Sequence, residues 1–188
     1  MSSTFAIVGS GSLGSYLIEE FLTYKASGSV TTLKIISRSV SLQKSRPPGP
    51  NKTLRPLPPN CPTDEISPSS LISQETIKST NPEWFSKGAE LAKVNYADES
   101  SIVATFKGID VVISTLGVGV VDQQDVLARA AKAAGVKLFV PSEYGVTTEN
   151  ATSGPLLIKK KFAESLKEIN LPYVKIFTGL WTDYCLAP

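Results

Sequence analysis

Histidine is absent from this sequence of 188 residues. That absence removes Ser-His-Asp and Cys-His nucleophilic catalysis and most zinc chemistry, so acid–base work must fall to Lys, Tyr, Asp or Glu. Cysteine is nearly absent too: Cys61 and Cys185 stand far apart, with no C-x-x-C spacing. Neither a metal site nor a disulfide framework is expected, and a reduced, cytoplasmic chain is the default. No apolar run approaches the ~20 residues that a membrane helix needs. The amino end, MSSTFAIVG, has no basic segment and passes straight into a strand-like run, so no signal peptide is expected. Charge of one sign is also lacking in excess: 19 Lys and Arg against 17 Asp and Glu leave a formal +2. The basic residues are scattered apart from Lys159–Lys161, which argues against a nucleic-acid partner.

What is present is a rhythm of short apolar runs and helical patterns. TFAIVG (4–9), LKIIS (33–37), AELAKVN (89–95), IDVVISTLG (109–117), VKLFVPS (136–142) and PYVKIFT (172–178) read as six strands. Helical patterns cover Ser12–Lys25, Asp98–Phe106, Asp122–Ala134 with Gly135 as its stop, and about 155–169. Strands separated by helices of this length imply parallel βαβ units. The expected class is α/β, a doubly wound parallel sheet of the Rossmann type, in one nucleotide-binding domain over 1–188. One stretch breaks the rhythm. Residues 45–70 hold eight prolines and no sustained periodicity, so 45–82 is expected to be a disordered surface insertion.

Directly after the first strand stands GSGSLG, a G-x-G-x-x-G pattern at Gly9, Gly11 and Gly14. Alone the pattern is weak, but here it follows a strand and opens a helix. Gly9 would make the tight turn, Gly11 would let the backbone approach a pyrophosphate, and Gly14 would permit close helix packing. Ser10, Ser12 and Leu13 complete the loop, and the helix start would offer free N–H groups to the phosphate. The second strand ends in Ser37, Arg38 and Ser39, with no acid before Asp64. A ribose 2′-hydroxyl calls for an acid there, whereas Arg38 can fork onto a 2′-phosphate, with Lys44 adding charge. NADP(H) is therefore the expected cofactor.

The ordered set VGSGSLG, SRS, NYADESSI, GIDVVISTLG, GVKLFVPSEYG and LPYVKIFTGLWTDY resembles the NmrA-like and isoflavone reductase-like family, atypical short-chain dehydrogenase/reductases. VPSEYG is the most specific piece, similar to the family's V-P-S-E-F-G. The resemblance implies NADP(H) on the glycine loop and on Arg38, with Thr115, Leu116 and Gly117 passing under the ribose. It also implies a catalytic lysine on the helix before the sixth strand, which falls on Lys159. An independent argument agrees. With Ile158, Phe162, Leu166 and Ile169 as the apolar stripe, Lys159 lies about 65° from its centre, Lys161 about 95°, and Lys160 on the far side. Lys159 is best placed to reach inward, Lys161 is second, and Lys160 is the solvated one. No Tyr-x-x-x-Lys motif occurs, and Tyr144 stands where the family usually has Phe.

The sequence departs from the family in three places. Asn95 replaces a common Asp, residues 45–82 are inserted, and the chain ends where relatives run on into a smaller carboxyl-terminal substrate domain. The expected function is hydride transfer between NADPH and a small aromatic or enone substrate. The alternatives are a non-catalytic NADP(H) redox sensor of the NmrA type, or a truncated, inactive family member. Leu180, Trp181, Tyr184 and Leu186 would form an apolar tail for a protein partner to cover.

Overall fold

The computed structural model describes residues 3–38 and 81–181, the side chains of Arg38 and Val118 excepted. In chain order the elements are β1 (Ser3–Val8), α1 (Ser12–Ala26), β2 (Val30–Arg38), α2 (Pro82–Ser86), β3 (Glu90–Val94) and α3 (Glu99–Phe106). There follow β4 (Val111–Ser114), a 3-10 turn (Val118–Gln123), α4 (Gln124–Ala134), β5 (Leu138–Val140) and α5 (Gly154–Glu168). The strands form one parallel sheet in the order β3-β2-β1-β4-β5. That is the doubly wound arrangement, with its switch of direction between β1 and β4.

Strand periodicity sorts the apolar residues onto two faces. Ala6, Val8, Ile36, Val112 and Phe139 point into one core, closed by Phe106, Leu127, Phe162 and Leu166 of α3, α4 and α5. Ile7, Leu33, Ile35, Ile113 and Val140 point the other way, onto Ile18 and Leu22 of α1 and Trp84 of α2. Burying a side chain such as Phe106 contributes roughly 2–3 kcal/mol, so the two layers carry most of the stability. At the amino edge, Asp110 fastens β4 to β1: its carboxylate accepts from the Thr4 backbone N–H at 3.0 Å and pairs with Lys137 at 2.6 Å.

Four details differ from expectation. The sheet has five strands among the described residues, because 172–178 joins β5 only through the Phe139–Tyr173 bridge. Pro172 has no N–H to give and β5 is three residues long, so a ladder cannot propagate. The buried face of α1 is Gly14, Ile18 and Leu22, a different stripe from the more apolar-looking one through Tyr16, which is 71% exposed. α2, a helix the sequence patterns did not mark, begins at the last residue of the expected insertion; Pro82 opens it and Trp84 is buried. On α5 the buried residues are Phe162, Ala163 and Leu166, and Ile158 is exposed. The helix is thus rotated from the expected stripe. Residues 45–80, Lys44, Cys61, Tyr184, Cys185 and Leu186 lie outside the described residues.

Candidate functional site

In a parallel sheet, ligands gather beyond the carboxyl ends of the strands, and here three loops meet at that edge. The first follows β1. Gly9 has φ +102, a region open to glycine, and a Cβ on it would meet the Thr115 hydroxyl at 3.0 Å. A Cβ on Gly14 would collide with the Gly9 carbonyl, so α1 starts in contact with the loop below it. Gly11 is different: a Cβ there would meet nothing within 4 Å. It is the residue before α1, no side chain caps the helix, and its first turn holds no acid. The result is an uncapped helix N-terminus with open space at Gly11, at the positive end of a helix dipole, which suits an anion.

The second loop, Thr115–Gly117, follows β4. The Thr115 hydroxyl donates to the carbonyls of Val8 and Gly9, both at 3.0 Å, which braces the glycine turn. The third is the turn after β5, held at almost every residue. Ser142 N–H donates to Gln124 Oε1 at 2.7 Å, and its hydroxyl donates to the Leu116 carbonyl at 2.7 Å. Glu143 N–H donates to the Pro141 carbonyl at 2.8 Å, and Tyr144 N–H to that of Ile176 at 3.0 Å. Trp181 Nε1–H donates to the Tyr144 carbonyl at 2.8 Å. Tyr144 itself sits at φ +28, an uncommon conformation for a side-chain-bearing residue.

Lys159, in the second turn of α5, donates from Nζ to the Glu143 carbonyl at 2.7 Å. It lies one turn before Phe162 and Ala163, so its stem follows the buried face. Burial pushes its amine below the ordinary lysine range, with Glu143 partly opposing. The Glu143 carboxyl, 1% exposed, is pushed up by burial against the pull of Lys159, Lys175 and Thr148. The Thr148 hydroxyl is near enough to favour the charged form but makes no well-formed hydrogen bond. Burial likewise pushes the Tyr144 phenol up to about 12.

The structure therefore brings together Gly9, Ser10, Gly11, Ser12, Leu13, Gly14, Thr115, Leu116 and Gly117, with Lys159 joined to them through Ser142 and Leu116. The order of the neighbouring lysines is corrected: Lys161 is exposed and Lys160 partly buried, because the helix is turned away from Ile158. The backbone of Arg38 closes β2 beside this edge, and Lys44 lies outside the described residues. Sequence reasoning passed over Glu143 as a functional group, together with Gln124 and Thr148. Only its place in VPSEYG marked Glu143, and nothing local signals burial of a single carboxylate. Among the described residues no cluster of three or more His, Cys, Asp or Glu is placed to hold a metal, and no helix is long and apolar enough to cross a membrane.

Fold and edge together define a Rossmann-type protein built around a glycine loop at the switch point. The model of the NmrA-like family matches residues 65–186, and the chain belongs to that family. Among curated relatives it is 36% identical over 95 residues to oxidoreductase aprR of Aspergillus flavus, covering 50% of this chain and 32% of that protein. It is 34% identical over 129 residues to isoflavone reductase homolog P3 of Arabidopsis thaliana, covering 65% and 40%. In fold it is similar to AtPrR2 solved with NADP+ and (+)pinoresinol, with a TM-score of 0.69 at 22% identity. That match covers 98% of this chain and 52% of the other. The chain thus spans about half the length of that structure, and its alignments span less than half of these curated relatives.

Proposed function

We propose that the chain is an NADP(H)-binding oxidoreductase of the isoflavone reductase-like kind, passing hydride between NADPH and a small aromatic or enone substrate. One observation carries the reading. At a single edge of the sheet, Thr115–Gly117 links an uncapped helix N-terminus behind an open glycine to a turn that holds a partly buried lysine. The relatives support it: one is called an isoflavone reductase homolog, and a solved neighbour holds NADP+.

In this reading the N–H groups of the Gly9–Gly14 loop bind the pyrophosphate, Ser10, Ser12 and Leu13 through their backbone. Space above Gly11 admits a phosphate that any side chain would crowd. Thr115 contributes main chain, since its hydroxyl is engaged below, and Leu116 and Gly117 continue that wall toward the ribose. Arg38 takes the 2′-phosphate, with Lys44 as a second cation. The bound cofactor supplies or accepts the hydride at nicotinamide C4. Lys159 gives a proton to the substrate, or takes one, as charge develops there. A lysine with depressed proton affinity can do either near neutral pH.

Titrating the purified chain with NADPH and with NADH tests the cofactor. NADPH should bind about tenfold or more tightly, the value of a charge-assisted contact. Equal affinity would remove Arg38 from the site. Lys159→Met should abolish turnover of a model enone while leaving NADPH affinity intact; retained turnover would remove Lys159 from the chemistry.

A further inference from the structure

The turn after β5 meets Lys159 through a single peptide group. The Glu143 carbonyl accepts from Lys159 Nζ at 2.7 Å, and the N–H across the same peptide, that of Tyr144, donates to the Ile176 carbonyl at 3.0 Å. A trans peptide is planar with its C=O and N–H on opposite sides, so these two contacts fix one plane between them. Rotating that plane breaks both.

The plane is held against a local preference. Tyr144 has φ +28, and this torsion adjoins the peptide in question. A residue with a Cβ relaxes toward negative φ, which here would swing the Glu143 carbonyl off the amine. Such strain persists only where the surroundings over-determine it. The Tyr144 hydroxyl is buried without a partner, so the side chain supplies no hydrogen bond to hold the conformation. The restraint comes from segment 176–181. Beyond the Ile176 contact, Gly179 turns the chain at φ +76 and its N–H donates to the Gly145 carbonyl at 3.1 Å. Trp181 follows, and its indole Nε1–H donates to the Tyr144 carbonyl at 2.8 Å. Of these three ties only the last is made by a side chain, so it alone can be removed by substitution without altering the main chain.

Resting on the reading of Lys159 as the acid–base group, we propose that Trp181 is a positioning residue for it: the indole N–H pins the strained turn at Tyr144 and so keeps the Glu143 carbonyl on the Lys159 amine. A charged lysine has three N–H donors and a long flexible stem. With one donor committed to the Glu143 carbonyl, the other two are aimed rather than free to wander.

The test uses Trp181→Phe in the full 188-residue chain, which keeps an aromatic ring and deletes the donor. Both proteins are treated briefly with acetic anhydride at pH 8, and acetylation of each lysine is read by mass spectrometry. A carbonyl acceptor favours the charged, unreactive form of the amine and occupies it. Acetylation of Lys159 relative to Lys160 and Lys161 should therefore rise about tenfold in the variant, the value of a hydrogen bond to a charged group. An unchanged ratio in a folded variant overturns the proposal. An equal rise at all three lysines means general loosening of the helix and overturns it too. Should the variant fail to fold, hydrogen exchange in the wild type decides. The Trp181 indole proton and the Tyr144 amide must be protected together, and an indole that exchanges at the free rate overturns the pin. NADPH titration and enone turnover of the wild type judge the functional reading separately. If both fail, that reading falls while the acetylation ratio still reports on the turn. If both succeed, Trp181→Phe should lower kcat about tenfold or more with NADPH affinity intact, and an unchanged kcat overturns the positioning role.

Discussion

Two loops at the same edge of the sheet are built by opposite means. The Gly9–Gly14 loop is made of backbone: it carries no ionisable side chain, and its shape comes from positions where a Cβ does not fit. The turn at Pro141–Gly145 is made of side chains and distant partners. Gln124, Leu116, Ile176 and Trp181 hold it from four other parts of the chain, around a buried carboxylate. The first is cheap in charge and open to an incoming anion. The second stores strain and desolvation around the group proposed to move a proton. A site for a dinucleotide redox reaction needs both: a passive cradle and a tuned acid–base group.

The sharpest way to break the contrast is at Gly14. Gly14→Val should cost about 3 kcal/mol, typical of overpacking a tight contact, and abolish NADPH binding, as read by denaturant unfolding and cofactor titration. Gly11→Ala, at the open glycine, should leave stability within about 0.5 kcal/mol and weaken only the cofactor. If both variants behaved alike, the distinction between packing and approach would be lost. On the other loop, Gln124→Leu leaves the Ser142 N–H without its acceptor. A loss of about 1–3 kcal/mol in unfolding free energy is expected, and an unchanged value would mean that the turn stands without its anchor.

The buried charge and the surface charge should respond to pH with opposite signs. The raised Glu143 carboxyl favours the native state while it is protonated. Its contribution is lost as pH climbs through the folded value, so Glu143→Gln should gain stability over wild type on the alkaline side. Asp110 is held down to about 2, first by Lys137 and then by Thr4. Its contribution is complete above the ordinary 3.8 and lost as pH falls toward about 2, so Asp110→Asn should weaken the protein most at neutral pH. Unfolding across pH checks both; slopes of the same sign would contradict the assigned burial. The smallest effect is expected from Tyr144→Phe. It removes a buried hydroxyl that has no partner, so stability should stay within about 0.5 kcal/mol or rise.

Much of the fold was legible because its signals are local. Apolar runs of a few residues, helical spacing between them and Gly135 as a helix stop gave the order of elements and the parallel sheet. Where the reading failed, the deciding contact was remote. The segment at 172–178 looks like a strand, but its neighbour β5 is too short to pair with it. The face of α1 was set by Gly14 against Gly9 rather than by the most apolar stripe. The face of α5 was set by Phe162 against Phe139, whose rings lie 5.9 Å apart.

By itself the sequence determined the class of fold and the glycine loop, since spacing and turn chemistry are properties of neighbouring residues, while the candidacy of Lys159 came with the family resemblance. Only the tertiary structure decided that Glu143 is buried, that its carbonyl holds the Lys159 amine and that Tyr144 is strained beside it. The environment of a charge depends on what distant segments of the chain place around it. Desolvation, unlike periodicity, leaves no mark in the local sequence.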